Sequence, residues 1–282
     1  MERGSTIIVY DSANSQALEA YKEVSSFLTV RGFEVDGRDS KSCGATPLPE
    51  DAVFAVSLGG DGTFLCCARL LASRPIPILP VHMGTFGFIT EVTQEEWTEA
   101  LGTWLDGGLD VEHRTILNVN VLRQGETVFQ RKAVNDAVVS ASGISKMVRL
   151  AMRLGGCEAG RFRGDGMILA TATGSTAYSM AAGGPIIVPP MRALVLTPIC
   201  PFSLAWRPMV LPEGDGIGIR VEGGQRADVM LTVDGQESFL LREDDEVVME
   251  GLASGVRIIK SDRRVFYEVV RSKLGWSGGP HA

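Results

Sequence analysis

The residues best suited to chemistry are Gly59-Gly60-Asp61-Gly62-Thr63. An apolar run, 53–58, precedes them and a helical pattern, 63–72, follows. A glycine carries no Cβ, so its N–H can turn toward an anion in conformations that other residues avoid. The helix that follows adds the positive end of its dipole. Gly59, Gly60, Gly62 and Thr63 therefore read as a cradle for the phosphates of a donor. Asp61 does not fit that role, because a carboxylate repels phosphate. It suits a base, a group that positions a hydroxyl, or an indirect metal partner. A strand-to-helix turn with a capping Asp is the plainer alternative.

A second constellation begins at Gly164-Asp165-Gly166 and runs through Thr171-Ala172-Thr173-Gly174-Ser175-Thr176-Ala177-Tyr178. Small hydroxyl residues beside a tyrosine could offer a hydrogen-bonding shelf to a flat polar ligand such as a base. A short helix capped by Ser175 or Thr176, running to Ala182 and stopped by Gly183-Gly184-Pro185, explains the same letters. Asn135-Asp136 interrupts an apolar strand, 133–139, and inward polar groups need partners. A ribose or base is one kind of partner and a buried turn the other. Lys146, Arg149, Arg153, Arg161 and Arg163 crowd a stretch with one acid, Glu158. They could hold phosphates or line a solvated strand face.

Elements must position these groups. Runs at 6–10, 53–58 and 76–81 read as strands that are apolar on both faces. Helical spacing at 17–30 and 64–71 separates them. That alternation predicts a parallel sheet covered on both sides, with a ligand at the carboxyl ends of its strands. Thr93-Gln94-Glu95-Glu96 reads as a capping box for a helix reaching about Leu105. Beyond it the period changes to two, at 117–121, 148–154, 217–221 and 229–233, with further apolar runs at 247–249 and 256–259. The fold class expected is α/β followed by all-β: an α/β domain over 1–95, a β-rich domain over 96–262 and a tail over 263–282.

The chain has 282 residues, of which 45% are hydrophobic and 22% charged, with a formal net charge of −7. This is the composition of a globular protein, and its acidity argues against a broad nucleic-acid footprint. Five cysteines without a Cys-x-x-Cys pair suit a reducing compartment and argue against a disulfide framework. Three scattered histidines make a structural zinc site improbable. No signal peptide and no membrane-spanning helix are expected, so the cytoplasm is the expected location. No Walker-type phosphate loop, dinucleotide fingerprint or nucleophile elbow is found.

Taken together, these segments resemble the NAD kinase family. Gly59–Thr63 resembles its first motif, and Gly84-Thr85-Phe86-Gly87-Phe88-Ile89-Thr90-Glu91 the segment that follows. Asn135-Asp136 is similar to the family's Asn-Glu pair. Residues 165–178, continuing through Gly183-Gly184-Pro185, resemble the second motif. The stretch from Thr197 through Arg207-Pro208, Asp234-Gly235-Gln236 and 273–277 also fit, so the likeness spans residues 55–277. Gly-Gly-Asp-Gly-Thr alone is shared with lipid kinases and phosphofructokinases; its combination with Gly-Ser-Thr-Ala-Tyr is specific.

The resemblance implies transfer of a phosphoryl group, from ATP or polyphosphate, to the 2′-hydroxyl of the adenosine ribose of NAD. It implies an α/β domain, a β-sandwich domain with the site between them, a divalent metal such as Mg²⁺ arriving with the donor, and homodimers or homotetramers. Asp61 would be the base, beside Gly62. Asn135 and Asp136 would bind the ribose or nicotinamide side of NAD. Thr176, Ala177 and Tyr178 would line the adenine pocket, with Thr173 and Ala181 also on NAD, and Gln236 would approach the nicotinamide end. Lys146 falls where the family often has a basic residue. Arg163 and Asp165 match contacts that often come from a neighbouring subunit. Three positions depart from the pattern: Cys66 stands near a common Arg, Ala181 near a common Ser, and Phe202 at a common His. The rival readings are a lipid kinase of the diacylglycerol type, which needs an apolar acyl pocket, and a non-catalytic NAD(H)-sensing module.

Overall fold

The computed structural model describes residues 4–44, 46–84, 87–143, 147–261 and 266–276. Contacts divide the chain into two compact units, Met1–His113 with Val256–Ala282, and Arg114–Gly255. The sequence reading divides at 95/96 instead and sets 263–282 apart. The contact boundary lies later because Trp97, Ala100, Leu101 and Trp104 share the core of the first unit with Val56, Leu58 and Val81.

In the first unit the chain runs β1 (Ser5–Tyr10), α1 (Ser15–Val30), β2 (Glu34–Asp39), β3 (Ala52–Gly59), α2 (Asp61–Leu71), β4 (Pro77–His82), β5 (Val92–Thr93) and α3 (Trp97–Leu105). The sheet order is β2-β1-β3-β4, with β5 paired to β4, and every pairing is parallel. Parallel neighbours need crossovers, and the helices supply them. Asn14 caps α1 by accepting the N–H groups of Gln16 and Ala17, and the helix buries Ala17, Ala20, Val24 and Leu28. β2 is absent from the sequence reading. It is a sheet edge, mostly part-buried, with the sequence Glu-Val-Asp-Gly-Arg-Asp. Charge on an edge strand hides the apolar signal. The capping box expected at 93–96 does not form: Glu96 Oε2 accepts the Thr93 N–H at 2.9 Å, but the helix starts after Glu96 and has no side-chain cap.

The second unit comprises β6 (Val111–Arg123), β7 (Glu126–Ala133), β8 (Asp136–Ser142), β9 (Val148–Leu154), β10 (Cys157–Gly164), β11 (Gly166–Thr171), the one-turn helix α4 (Tyr178–Ala181), β12 (Ala193–Ile199), β13 (Met209–Pro212), β14 (Ile217–Val221), β15 (Asp228–Val233), β16 (Glu237–Leu241) and most of β17 (Glu246–Ile259). One antiparallel sheet is ordered β13-β12-β11-β8-β15-β16. The other runs β10-β9-β14-β17, with β6 on β17 and β7 on β6. Alternate residues of both sheets, among them Val119, Val139, Leu150, Phe162, Leu169, Leu196, Ile219 and Leu231, share one core. That is a β-sandwich, as the period-two runs predict. The runs at 247–249 and 256–259 belong to the single strand β17. Its last residues return to the first unit, where Arg257 and Ile258 pair with Pro77 and Ile78 of β4. The helix α5 (Phe266–Lys273) follows, with Val269 and Val270 buried.

Three expectations are corrected. Ala133 to Val139 is not one strand: β7 ends at Ala133 and β8 starts at Asp136, so Asn135 sits in the bend. Neither Ser175 nor Thr176 caps a helix. A 3-10 turn covers Thr173–Thr176 and α4 follows without a side-chain cap; the Ser175 hydroxyl bonds Ala172 O and Ile187 N–H instead. Cys43 and Cys66 form a disulfide across 23 positions. Cysteine count and spacing carry no information about where the loop after β2 lies against α2.

Candidate functional site

One candidate site is the turn between β3 and α2. Gly59 closes the strand, Gly60 is the N-cap of α2, and Asp61 is the first helical residue. No side chain caps this helix end, which leaves its dipole for a ligand. Thr63 is buried at the back of the turn, and Gly62 is exposed at its front. Asp61 does not cap its own helix. Its Oδ2 accepts the Phe88 N–H at 2.9 Å and its Oδ1 the Ile89 N–H at 3.3 Å. The chain passes so close that a Cβ on Gly87 would lie 1.9 Å from Asp61 Oδ1; only glycine fits there. The carboxylate is thus fixed by backbone from another segment and keeps spare lone pairs.

A second candidate site lies within the sandwich unit, where the bend at 134–135 is tied from two sides. Asp234 sits at φ 48° and Gly235 at φ 65°, the Asp-Gly signature of a type I′ turn joining β15 to β16. From that turn, the Asp234 carboxylate accepts the N–H groups of Val134, Asn135 and Asp136 at 3.1, 2.7 and 3.2 Å. From the other side, the Thr171 hydroxyl donates to Val134 O at 2.6 Å and accepts the Gly174 N–H at 3.0 Å, while Thr171 N–H bonds Asn135 O. A Cβ on Gly174 would meet Asn135 O at 2.0 Å. The glycine of the Gly-Ser-Thr-Ala-Tyr run is therefore there for close packing.

These ties shape a cavity of about 380 Å³ lined by Asn135, Asp136, Val138, Ser140, Ala177, Tyr178, Thr232, Asp234 and Gly235. Asn135 Oδ1 is buried there without a hydrogen-bond partner, an acceptor available to a ligand. Tyr178 leaves 48% of its surface in water, as a stacking platform would. Burial first, then the negative charge of Asp234, raises the Asp136 carboxyl to about 7.

The structure thus brings four of the sequence candidates, Asn135, Asp136, Ala177 and Tyr178, to one cavity. Gln236 is exposed, one residue beyond the lining. Thr173 and Thr176 are buried behind it, Thr176 Oγ1 donating to Thr173 O. Ala181 ends α4 on the exposed side. Arg163 and Asp165 are exposed around the end of β10, outside the lining. Arg163 lies over the Phe202 ring and Asp165 raises the Cys200 thiol through a hydrogen bond. Lys146 falls outside the described residues. The other basic residues of that stretch are engaged at the surface: Arg149 with Gly223 O and Gly224 O, Arg153 with Glu246, Arg161 with Glu222. Ser140, Thr232 and Asp234 were not singled out as site residues. Asp234 had a signal, because an Asp-Gly pair between two alternating runs marks a hairpin whose Asp faces its neighbours.

Residues 15–109 match the ATP-NAD kinase N-terminal domain and residues 134–261 the ATP-NAD kinase C-terminal domain. The NAD kinase of Treponema denticola is 41% identical over 273 residues, covering 96% of both chains. The chain belongs to the NAD kinase family. A second NAD kinase, of Syntrophobacter fumaroxidans, is 36% identical over 95% of this chain and 97% of its own length. Among solved structures, an NAD kinase from Archaeoglobus fulgidus in complex with ATP superposes with a TM-score of 0.74 at 26% identity, over 98% of this chain and 100% of that one. Yeast NADH kinase complexed with NADH gives a TM-score of 0.86 at 23% identity, over 98% and 88%; this likeness bears on the fold. The glycine turn lies within the N-terminal match and the cavity within the C-terminal match. No helix among the described residues is long and apolar enough to cross a membrane.

Proposed function

We propose that Asp61 serves the reacting hydroxyl, that the turn at Gly59–Thr63 receives the donor's phosphates, and that the cavity at Asn135, Asp136, Ala177 and Tyr178 holds the acceptor. The chain is a kinase that phosphorylates NAD to NADP, as its family membership shows. In the step proposed, the 2′-oxygen of the adenosine ribose attacks the γ-phosphorus of ATP. Its proton passes to the Asp61 carboxylate, the bond from phosphorus to the β,γ-bridging oxygen breaks, and ADP leaves. Phosphoryl transfer asks for positioning and charge neutralisation more than for a strong base. A carboxylate, although weakly basic at neutral pH, can orient the hydroxyl and take its proton late.

One observation carries this reading. Asp61 stands at the uncapped head of a helix, yet its carboxylate is aimed by the N–H groups of Phe88 and Ile89. In this proposal Mg²⁺ arrives as part of the MgATP substrate, the usual way this ion meets phosphates. Arg163 and Asp165 belong to the proposal as a surface shared between chains of a dimer or tetramer. Exposed Phe202, whose N–H bonds Arg163 O, and Leu204 two residues on, at 70% and 77%, support it. The cytoplasmic location rests on the nucleotide substrates required.

The test is purified protein with NAD and MgATP, reading NADP with an NADP-specific dehydrogenase, with polyphosphate and diacylglycerol as parallel substrates. NADP formation is expected. Asp61→Asn should lower turnover about 10²–10⁴-fold, the scale of a positioned base, with folding unchanged. Near-normal turnover in that variant would remove Asp61 from the mechanism.

A further inference from the structure

Asp61 acts only if its carboxylate is aimed, and what aims it is irregular backbone. Residues 87–89 belong to no helix or strand, so the N–H groups of Phe88 and Ile89 stay in place only as far as neighbouring side chains hold them. Ile89 is buried. Phe88 is half-exposed, and a cation covers its ring: Lys273 Nζ lies 5.4 Å from the centroid. Lys273 is the last residue of α5, a helix fastened through Val269 and Val270, which are 5% and 2% exposed. The lysine is therefore presented from an anchored element. A ring fixed at its outer face restrains the backbone that carries it, and that backbone supplies the 2.9 Å bond to Asp61 Oδ2.

We propose that Lys273 is a positioning residue for Asp61, acting through Phe88. The inference rests on the reading that Asp61 serves the reacting hydroxyl. A cation over a phenyl face at an exposed position corresponds to about a two- to fivefold change in the population it favours. That is the size of effect expected on turnover. Substrate affinity should be nearly untouched, because Lys273 makes no part of the acceptor cavity. The guanidinium of an arginine binds an aromatic face at least as well as an ammonium does, so Lys273→Arg should preserve the effect.

The experiment compares Lys273→Met, which keeps an unbranched apolar side chain without the charge, with Lys273→Arg and the parent protein. It reads kcat, the KM for NAD and for ATP, thermal midpoint, and hydrogen exchange of the peptide covering 87–90. Lys273→Met should lower kcat two- to fivefold, leave both KM values within twofold, leave the midpoint unchanged, and speed exchange at Phe88 and Ile89. Lys273→Arg should restore kcat and slow exchange. Unchanged kcat and exchange in Lys273→Met would overturn the proposal. So would a loss that tracks a lowered midpoint, or one that arginine does not restore. Asp61→Asn, run alongside, separates the two levels. If it keeps its turnover, the reading of Asp61 fails and takes Lys273 with it; if it loses turnover while Lys273→Met does not, only the role of Lys273 fails.

Discussion

Replacing Asp136 by Asn should stabilise the ligand-free protein, and by an amount set by pH. Asp136 is 5% exposed. Burial and the neighbouring Asp234 charge raise its carboxyl from 3.8 to about 7. In the unfolded chain the same group ionises near the ordinary carboxylate value. Between roughly pH 4 and 7 the folded protein therefore holds one more proton than the unfolded chain at this position. Stability consequently falls as pH rises through that window, by about 1.4 kcal/mol per unit, and levels off above it. The full span is about three units, or on the order of 4 kcal/mol. Asparagine has the same shape and no proton to lose. The assay is urea unfolding of wild type and Asp136→Asn at pH 5, 6, 7 and 8 without ligand. Other titrating groups cancel in the difference. The variant's advantage should grow by about 2–3 kcal/mol from pH 5 to 7 and change little from 7 to 8. A difference independent of pH would refute the claim that Asp136 is protonated in the folded cavity. The ligand then has a chemical consequence. A carboxyl that donates below pH 7 and accepts above it presents two different faces to whatever enters, so acceptor affinity should also bend near neutrality.

Two further substitutions test how the cavity and its unit are built. Gly174→Ala would place a methyl 2.0 Å from Asn135 O, against backbone that is tied from two sides; it should cost about 1–3 kcal/mol and weaken NAD binding, which titration calorimetry reads. Arg123→Met removes a two-pronged contact to Asp245, with bonds of 2.8 and 2.7 Å, from a carboxylate that has no exposed side-chain surface. Burial pushes that carboxyl up, but Arg123 and the Arg242 N–H outweigh it and hold it low. Unfolding should show a loss of stability at pH 7, moderated because Arg123 is itself a quarter exposed. The loss should shrink as pH falls and the unpaired carboxyl takes up a proton.

The parts that were legible in the sequence are those whose physics is local. A strand buried on both faces, three glycines and a helical period suffice to place the turn at Asp61, and period-two alternation suffices for the sandwich strands β9, β14 and β15. What stayed hidden depends on distance along the chain. β2 carries edge-strand charge in place of an apolar stripe. Asn135 reads as an interruption inside a strand, because only the ties from Asp234 and Thr171, 99 and 36 positions onward, make it a bend between two strands. The pairing of Cys43 with Cys66 and the contact of Lys273 with Phe88 have no trace in local pattern. Asp234 lies between these cases: its turn was readable, but that it would organise the floor of the cavity was not.

The first unit is assembled from two separated stretches, with the whole second unit inserted between them. During synthesis every residue of the sandwich is joined to the chain before β17 reaches Arg257 and before α5 is made. The cavity residues, the last of them Gly235, therefore precede the last neighbours of the glycine turn along the chain. The strand partner of β4 and the helix that bears Lys273 arrive only afterwards. The cavity can thus be complete in sequence before the Asp61 carboxylate, proposed to serve the reacting hydroxyl, gains its outermost support from α5. A chain interrupted after the sandwich would hold every residue of the cavity while lacking the helix that carries Lys273.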